Sequence, residues 1–411
     1  MYDWAVLGEW VEIAARWLHV TTAIAWIGSS FYFIALDLGL YRDRNLASGA
    51  DGEEWQVHGG GFYHIQKYLV APASMPDHLT WFKWESYATW LSGFTMLVLV
   101  YYLGADLYLV DPNVMELATW QAVLISLASL AFGWLAYNQI CKTFVNANQT
   151  AVMVALFVVL VAMAWGYTQV FTGRAAMLHL GAFTATIMSA NVFFIIIPNQ
   201  KIVVEDLVGR KPDPIYGKIA KQRSTHNNYL TLPVLFLMLS NHYPLVFATE
   251  YNWIIASLVF LMGVTIRHWF NTQHARKGSP HWTWAVTVIL FLICAWLSTA
   301  PMRAEPEGEA ALSPEALVYA AAPGFDDVVG IVQGRCSMCH AAEPGWEGLH
   351  WPPKDVRLET PEQIATEARR IYLQAGVTHA MPPANLSYIE PEERAQIVRW
   401  FRAAGAGGVE G

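Results

Sequence analysis

The chain has 411 residues, of which 55% are hydrophobic and 14% are charged, and its formal net charge is −8. A soluble protein would carry about a quarter charged residues, so this composition indicates a chain that lies mostly in a lipid bilayer. The modest negative charge provides no basic patch for binding nucleic acid. Residues 1–10 lack the basic start of a cleavable signal peptide, so we expect the first hydrophobic segment to be retained as a membrane helix.

Eight hydrophobic segments approach the length of about 20 residues that a helix needs to cross a bilayer. The predicted fold is therefore all-α, a polytopic bundle of eight transmembrane helices within residues 1–300. The sixth segment is the weakest, because it is short and has polar residues at both ends. The segments are 15–38, 87–104, 117–138, 150–170, 177–197, 226–242, 251–272 and 281–300.

Lys and Arg concentrate in alternate connections between these segments. Because basic residues favour the cytoplasmic side, the connections after the first, third, fifth and seventh helices are predicted to be cytoplasmic. The other connections, 105–116, 171–176 and 243–250, contain one basic residue, Arg174. Both termini would then lie outside the cytoplasm. The basic residues on the cytoplasmic side are Arg42, Arg44, Lys67, Lys83, Lys142, Lys201, Arg210, Lys211, Lys218, Lys221, Arg223, Arg276 and Lys277.

The first cytoplasmic connection, residues 39–86, is unusually long. Apolar and polar residues roughly alternate on both sides of Gly59-Gly60-Gly61, which predicts a β-hairpin. Connections of this length are usually functional or disordered, and the high aromatic content argues against disorder. The sequence leaves open whether this segment lines an active site.

The segment Cys336-Ser337-Met338-Cys339-His340 has the Cys-x-x-Cys-His pattern that attaches a c-type haem. Cys336 and Cys339, one helical turn apart, can add to the two vinyl groups of the porphyrin, and His340 then ligates the iron. Met381 is the candidate for the other axial position. The alternatives are a disulfide or half of a zinc site, and zinc is poorly supported because no second cysteine pair lies nearby in the sequence.

The remainder of the C-terminal part is predicted to be a small class I-type cytochrome c domain over residues 324–411, joined by a flexible linker at 301–323. A domain of this size cannot bury enough apolar surface alone, and a haem would complete its core. We expect one helix from Phe325 into the haem motif, one with Thr360 as its N-cap, and one from Pro391 through Phe401. Covalent haem c is normally matured outside the cytoplasm, in agreement with the predicted topology.

Two histidines lie toward the outer face of the predicted bundle, His19 in the first helix and His179 in the fifth. Ionisable residues at membrane depth are costly and are usually functional. Neutral imidazoles on two facing helices would ligate a b-type haem. The alternative is that each histidine hydrogen-bonds a carbonyl group or a neighbouring helix.

A second group of polar residues lies toward the inner face. Arg267, Asn271 and His274 have the spacing that places them on one face of the seventh helix. A guanidinium among amide side chains suits a planar, anionic substrate, and the alternative is a water-filled polar interface or an arginine that extends to the membrane surface. The candidate pocket residues are Asn148, His226, Asn228, Arg267 and His268.

Three stretches, 59–68, 78–85 and 224–229, resemble the membrane-integral urate oxidases of bacteria, in which an eight-helix domain is fused to a C-terminal cytochrome c. The resemblance covers the whole chain. It implies an enzyme of purine catabolism in the bacterial inner membrane, with both termini in the periplasm. Urate would be oxidised to 5-hydroxyisourate, and the electrons would pass to the chain's own haem c, then to another cytochrome c or a terminal oxidase, without hydrogen peroxide.

The resemblance carries over no urate-binding residues. The chemistry of the predicted pocket suggests that His226 or His268 would act as the base, and that Arg267 would hold the urate anion. The segments 17–19 and 26–28 are also similar to the first helix of a membrane protoporphyrinogen oxidase family, whose helix histidine ligates haem, which favours His19 as a ligand.

Two other functions are compatible with these sequence features. A quinol-to-cytochrome c electron-transfer protein would have a quinone pocket near the lipid and no dependence on purines. A transporter with a redox-sensing tail would have no haem in its membrane domain. The sequence has no phosphate-binding loop, dinucleotide fingerprint or metal-finger spacing that would favour another class of enzyme.

Overall fold

The computed structural model describes residues 4–43, 45–72, 74–112, 114–144, 148–209, 211, 213–299, 312–346, 349 and 351–407. The described chain is mostly helical, as the sequence predicts. The helices of its N-terminal region are α1 (Trp4–Gly39), α2 (Trp84–Met96), α3 (Ala105–Tyr108), α4 (Thr119–Thr143), α5 (Gln149–Thr168), α6 (Gly173–Ala190), α7 (Ile197–Gly209), α8 (Pro214–Ser240), α9 (Pro244–Phe247), α10 (Asn252–His274) and α11 (Trp282–Ser298). Single π-helical segments extend α2 over Leu97–Tyr102 and join α6 to α7 over Asn191–Ile196.

Five helical stretches are long and apolar enough to cross a membrane: Val6–Gly39, Thr119–Thr143, Gln149–Thr168, Gly173–Gly209 and Asn252–His274. The three other predicted spans also fall in helices, namely α2 with its extension, α8 and α11. Helix α11 is apolar but has only 17 residues, and the first half of α8 is polar. The count of eight spans and the orientation of the bundle therefore stay predictions.

The predicted hairpin is confirmed between α1 and α2. Strand β1 (Ala50–His58) pairs antiparallel with β2 (Gly61–Tyr68), and Trp55 lies opposite His64 with the two rings stacked at 4.2 Å. The turn is made by Gly59 and Gly60, whose φ angles of 58° and 82° favour glycine. The hairpin therefore lies at the end of the bundle where α1 ends and α2 begins.

Helices α8 and α10 approach each other closely where a glycine of α10 meets a proline of α8. Gly263 of α10 faces Pro233 inside α8, and a Cβ atom on Gly263 would lie 2.5 Å from the proline Cδ. Pro233 lacks a backbone N–H and its ring is rigid, so the ring cannot move away from an added atom. The contact sets the separation of the two helices that carry most of the predicted pocket residues.

The C-terminal region folds around its own apolar core. Its helices are α12 (Pro314–Ala320), α13 (Phe325–Arg335), α14 (Ser337–His340), α15 (Pro361–Thr366), α16 (Ala368–Ile371) and α17 (Pro391–Gly407), with a π-helical segment at Tyr372–Val377. Val328, Ile397 and Trp400 are central to the core. The three helices predicted from the sequence are present, and Thr360 caps α15 through its side chain.

Helix α12 lies within the segment that the sequence assigns to a flexible linker. Ser313 caps it, and Tyr319 stacks on Phe401 with ring centroids 5.1 Å apart. The carbonyl of Tyr319 also accepts a hydrogen bond from Trp400 Nε1 at 3.0 Å. The folded region therefore begins before residue 324, because an N-cap and aromatic contacts override the Pro- and Ala-rich composition. Residues 301–311 of the predicted linker lie outside the described part of the chain.

We expect Gly263→Ala to destabilise the protein, because the new methyl group overlaps the ring of Pro233. The cost is about 1–3 kcal/mol, as for other overpacked contacts, and it should lower the Tm measured by circular dichroism in detergent. Gly166→Ala in α5 is the matched control, since a Cβ there meets no atom within 4 Å. The control should keep or raise the Tm. Equal Tm values for the two variants would contradict the close contact.

Candidate functional site

A cavity of about 560 Å³ lies between α5, α8 and α10. Most of its wall is apolar, with Met153 and Phe157 on one side and Leu261 on another. Polar side chains line the end nearer the start of α8, where Gln222 donates a hydrogen bond to Gln149 Oε1 at 2.8 Å. A flat molecule with a polar edge would match this division between apolar walls and a polar end.

The polar end of the cavity has two buried atoms without a hydrogen-bond partner in the described part of the chain. They are Gln222 Oε1 and His226 Nε2, one turn apart on α8. Buried polar atoms are normally hydrogen-bonded, and each exception needs an explanation. Because both residues line the cavity, a ligand or water there would complete their hydrogen bonds.

His226 belongs to a buried hydrogen-bonded network behind the cavity wall. The hydroxyl of Tyr137 lies 2.8 Å from His226 Nδ1 and accepts a hydrogen bond from Asn191 Nδ2 at 3.1 Å. Asn191 Nδ2 also donates to Asn227 Oδ1 at 2.9 Å. We call this set the polar network; its members are Tyr137, Asn138, Asn191, Arg223, His226 and Asn227.

The polar network occupies one nitrogen of His226 and leaves the other to the cavity. The Tyr137 hydroxyl accepts from Asn191, and it either donates to His226 Nδ1 or accepts from it, according to the tautomer of the imidazole. With its hydrogen on Nε2, His226 presents a donor to the cavity, and with its hydrogen on Nδ1 it presents an acceptor.

Arg223 is the residue of this site that the sequence reasoning missed. The sequence places it in a cytoplasmic loop, but α8 begins at Pro214, so Arg223 lies inside the helix and is 2% exposed. Its guanidinium donates to Asn138 Oδ1 at 2.9 Å and to Asn191 Oδ1 at 3.3 Å, and it lies 4.9 Å from the ring centre of Tyr137. The sequence feature that could have identified Arg223 is its position three residues before His226, which places the two side chains about one turn apart on the same helix.

Arg223 carries its charge without a carboxylate partner within 4.0 Å in the described residues. Buried charges are usually paired, because their desolvation is costly. Amide oxygens and an aromatic face stabilise this guanidinium only in part, and Arg223 Nε has no partner. The site is therefore an electropositive region that suits an anion.

The structure separates the five predicted pocket residues into three groups. His226 and His268 both line the cavity. Arg267 and Asn228 instead form a cluster on the opposite side of α8, and Asn271 joins it: Arg267 donates to Asn271 Oδ1 at 3.0 Å, and Asn271 donates to Asn228 Oδ1 at 2.9 Å. The shared face of Arg267 and Asn271 was predicted, but it does not line the cavity.

Two further contacts involve the predicted pocket residues Arg267 and Asn148. Arg267 lies 4.1 Å from the ring centre of Phe31 on α1. Asn148, the fifth predicted residue, is the N-cap of α5 and accepts a hydrogen bond from Thr150 N at 2.9 Å. Its side chain therefore fixes the start of α5, next to two residues that line the cavity.

The hairpin lines a second, smaller chamber of about 290 Å³. Glu54 and Gln56 of β1 face His274 and Arg276 at the end of α10, and Tyr32 donates to Gln56 Oε1 at 2.7 Å. Among its described residues, the long connection lines this polar chamber and contributes no residue to the wall of the larger cavity.

His19 and His179, the candidate membrane haem ligands, are each bonded within the bundle. His19 Nδ1 lies 3.1 Å from the carbonyl oxygen of Thr89 and leaves Nε2 available. His179 is fully buried, with Nδ1 2.8 Å from Ala175 O and Nε2 2.9 Å from Ser126 Oγ. Because both ring nitrogens of His179 are hydrogen-bonded, neither is available to an iron atom. The two histidines as placed therefore do not fit a haem. The b-type haem stays a prediction.

The haem c motif has the local geometry that its chemistry requires. Cys336 and Cys339 lie on one turn, where the carbonyl of Cys336 accepts hydrogen bonds from the backbone N–H groups of Cys339 and His340. Burial raises the pKa of Cys336 to about 11. His340 Nδ1 lies 2.8 Å from the carbonyl oxygen of Val356, which orients the ring and leaves Nε2 for iron.

Met381 is held by its backbone on both sides. Its N–H donates to Gln374 O at 2.9 Å, and its carbonyl accepts from Arg394 Nη1 at 2.8 Å. The placement of Cys336, Cys339 and His340 on one turn fits a covalently attached haem, and Met381 stays the candidate for the other axial position. Among the described residues there is no cluster of three or more His, Cys, Asp or Glu side chains that could hold a separate metal ion.

Comparison with known proteins identifies the N-terminal region. Residues 5–298 match the family described as urate oxidase N-terminal. Comparisons with curated proteins and with solved structures give no match. The matched region contains the cavity and the polar network and ends before the haem c motif. Because the match spans more than half of the chain, this protein belongs to the urate oxidase N-terminal family.

Proposed function

We propose that this protein oxidises urate in the cavity between α5, α8 and α10 and passes the electrons to its C-terminal region. The observation that carries the proposal is the buried guanidinium of Arg223, which has no carboxylate partner in the described residues and lies behind a cavity wall with unpaired polar atoms. Urate is a planar anion at neutral pH, with carbonyl oxygens and ring nitrogens on its edges. The family match supports the choice of urate among planar anions.

The proposed reaction converts urate and water into 5-hydroxyisourate, two protons and two electrons. A bond forms between C5 of the purine and the oxygen of water, and the purine is oxidised. The electrons leave one at a time, so the acceptor is used twice in each turnover. Dioxygen is not the direct acceptor in this reaction, and no hydrogen peroxide is formed.

The residues of the cavity bind and orient the substrate in this proposal. His226 Nε2–H donates to a carbonyl oxygen of urate, and Gln222 Oε1 accepts from a ring N–H. The field of Arg223 stabilises the negative charge, because it acts through a region from which water is excluded. The apolar walls hold the ring plane. His268, which also lines the cavity and is exposed, is the better candidate for the base.

Cys336, Cys339, His340 and Met381 would hold the haem c, which supplies a one-electron acceptor when bound. His340 is fixed by its hydrogen bond to Val356, and Met381 by the contact with Arg394. These residues keep the acceptor site separate from the cavity. Onward transfer to a second cytochrome c or a terminal oxidase of the bacterial inner membrane is part of the same proposal.

A second candidate function is quinol oxidation in the same cavity. The observation that favours it is the largely apolar wall, which would suit a quinone ring and its isoprenoid tail. The buried positive charge of Arg223 favours the anion instead, since a neutral quinol would leave that charge uncompensated. The two functions differ in the donor that reduces the C-terminal region.

Urate should reduce the haem c of the purified protein without oxygen. With the haem oxidised in detergent, adding urate should produce the reduced c-type absorbance band, in the ratio of two haems per urate consumed. A quinol should produce little reduction on the same time scale. Reduction by the quinol alone would overturn the urate proposal and favour the second function.

Arg223→Gln should weaken urate-driven reduction while leaving the haem c spectrum intact. Loss of a charged hydrogen-bonding group at a buried site corresponds to roughly a ten- to a hundredfold loss in affinity. The measurement is the urate concentration that gives half-maximal reduction. Lys201→Gln, which removes an exposed charge from α7, is the control and should behave as the wild type. An unchanged urate dependence in Arg223→Gln would contradict the anion site.

His226→Gln and His226→Leu test the donor role of this side chain. Glutamine can place an N–H near the position of Nε2, whereas leucine cannot donate. We expect His226→Leu to slow urate-driven reduction about tenfold, as for the loss of one buried hydrogen bond, and His226→Gln to retain most of the rate. If both variants lost all activity equally, His226 would be the base and not the donor.

A further inference from the structure

The C-terminal region contacts the bundle at Tyr108, whose ring lies between two guanidinium groups. Tyr108, the last residue of α3, accepts a hydrogen bond from Arg370 Nε at 2.9 Å. The Arg370 guanidinium lies 4.6 Å from the centre of the Tyr108 ring, and the Arg174 guanidinium lies 5.1 Å from it. Each region of the chain therefore supplies one cation to the same ring, which is a favourable contact when desolvated.

A carboxylate offsets one of these two charges. Glu367 pairs with Arg370 Nη1 at 3.1 Å, and its side chain is 16% exposed. Burial raises the pKa of Glu367, while Arg370 and Arg174 both act to lower it. The contact between the two regions therefore keeps a net positive charge and is partly shielded from water, which distinguishes it from an ordinary surface ion pair.

A row of buried rings leads from Tyr108 into the bundle. The ring centres of Tyr108 and Tyr101 are 6.0 Å apart, those of Tyr101 and His179 are 5.8 Å apart, and those of His179 and Tyr167 are 5.8 Å apart. Tyr101, His179 and Tyr167 are nearly inaccessible to water. We call Tyr108, Tyr101, His179 and Tyr167 the aromatic row.

One face of α4 joins the aromatic row to the polar network. Ser126 and Ser129 hydrogen-bond His179 and Tyr167 at 2.9 and 2.7 Å. Two to three turns later on the same helix, Tyr137 hydrogen-bonds His226 at the cavity wall. The rise of an α-helix places residues 126 and 137 about 16 Å apart, so the row and the network together extend over most of the bundle.

Helix α16, which carries Arg370, shares an apolar core with the haem attachment motif. Ala368 and Ile371 are buried in that core, and Cys336 packs against it. The contact at Tyr108 is therefore made by the part of the chain that would hold the haem.

We propose that the Tyr108–Arg370 contact is the electron exit of the bundle and that the aromatic row is the route to it. The inference rests on the proposed function, because urate oxidation supplies the electrons. Each urate gives two electrons and two protons, and each electron reduces one ferric haem c, which an external respiratory cytochrome or oxidase reoxidises between the two. The two guanidinium charges disfavour oxidation of Tyr108 itself, so its ring is a bridge for tunnelling and not a radical site.

Stopped-flow reduction of haem c by urate, without oxygen, tests the exit in the full-length holoprotein. Tyr108→Leu and Arg370→Gln should each slow the reduction about tenfold, as for the loss of a charge-assisted contact. Tyr108→Phe, which keeps the ring, should be slowed less. Arg399→Gln removes a guanidinium from the exposed surface of α17 and should reduce at the wild-type rate. Ascorbate, which reaches the haem from solvent, should reduce all variants equally.

Amide hydrogen exchange provides a second readout that does not depend on turnover. In Arg370→Gln the amides near Tyr108 and those of α16 should exchange faster, because the two regions separate there. Wild-type rates of urate-driven reduction in Tyr108→Leu and Arg370→Gln would overturn the exit. A wild-type protein that urate does not reduce, but whose exchange still responds to Arg370→Gln, would overturn the urate function while the docking contact stands.

A further variant pair tests the interior of the row. Tyr101→Leu should slow the reduction by urate, whereas Tyr101→Phe, which retains the ring, should not. Phe247→Leu is the packing control, since Phe247 is equally buried in the same core but lies outside the row. Equal slowing in Tyr101→Leu and Phe247→Leu would show that loss of packing, not loss of a ring in the route, is responsible.

Discussion

The desolvation of a guanidinium in an apolar bundle is the constraint on which the rest of the site depends. Arg223 is stabilised by amide oxygens of Asn138 and Asn191 and by the face of Tyr137, all of which are neutral. Neutral partners leave most of the charge uncompensated, so the interior keeps a positive potential beside the cavity. A carboxylate in their place would make the region neutral and remove its preference for an anion.

Helix α4 organises both the polar network and the aromatic row, because one of its faces carries small residues. At Gly133 an added Cβ would lie 2.1 Å from the Phe183 ring, so only glycine allows this approach. Ser126 and Ser129 are small enough to hydrogen-bond the side chains of α6 and α5 directly. Tyr137 continues the same face, and its hydroxyl hydrogen-bonds His226. Substrate binding and electron transfer would thus share one helix surface.

Local features of the fold could be predicted from the sequence, whereas the site could be predicted only in part. The hairpin around Gly59 and the cap at Thr360 depend on neighbouring residues, and both are present. Arg223 was missed because the apolar pattern starts at residue 226, although the helix starts twelve residues earlier. Tyr137 contacts His226, and Asn191 contacts Tyr137, so this network joins three helical segments. No spacing within one segment reveals such a meeting.

The sequence also could not predict the direction in which a polar helix face points. Arg267 and Asn271 do share a face of α10, yet that face meets α1 and not the cavity. The adjacent residues Asn227 and Asn228 lie about 100° apart around α8 and hydrogen-bond Asn191 and Asn271 respectively. Consecutive asparagines of one helix therefore belong to two separate clusters, each with a buried guanidinium.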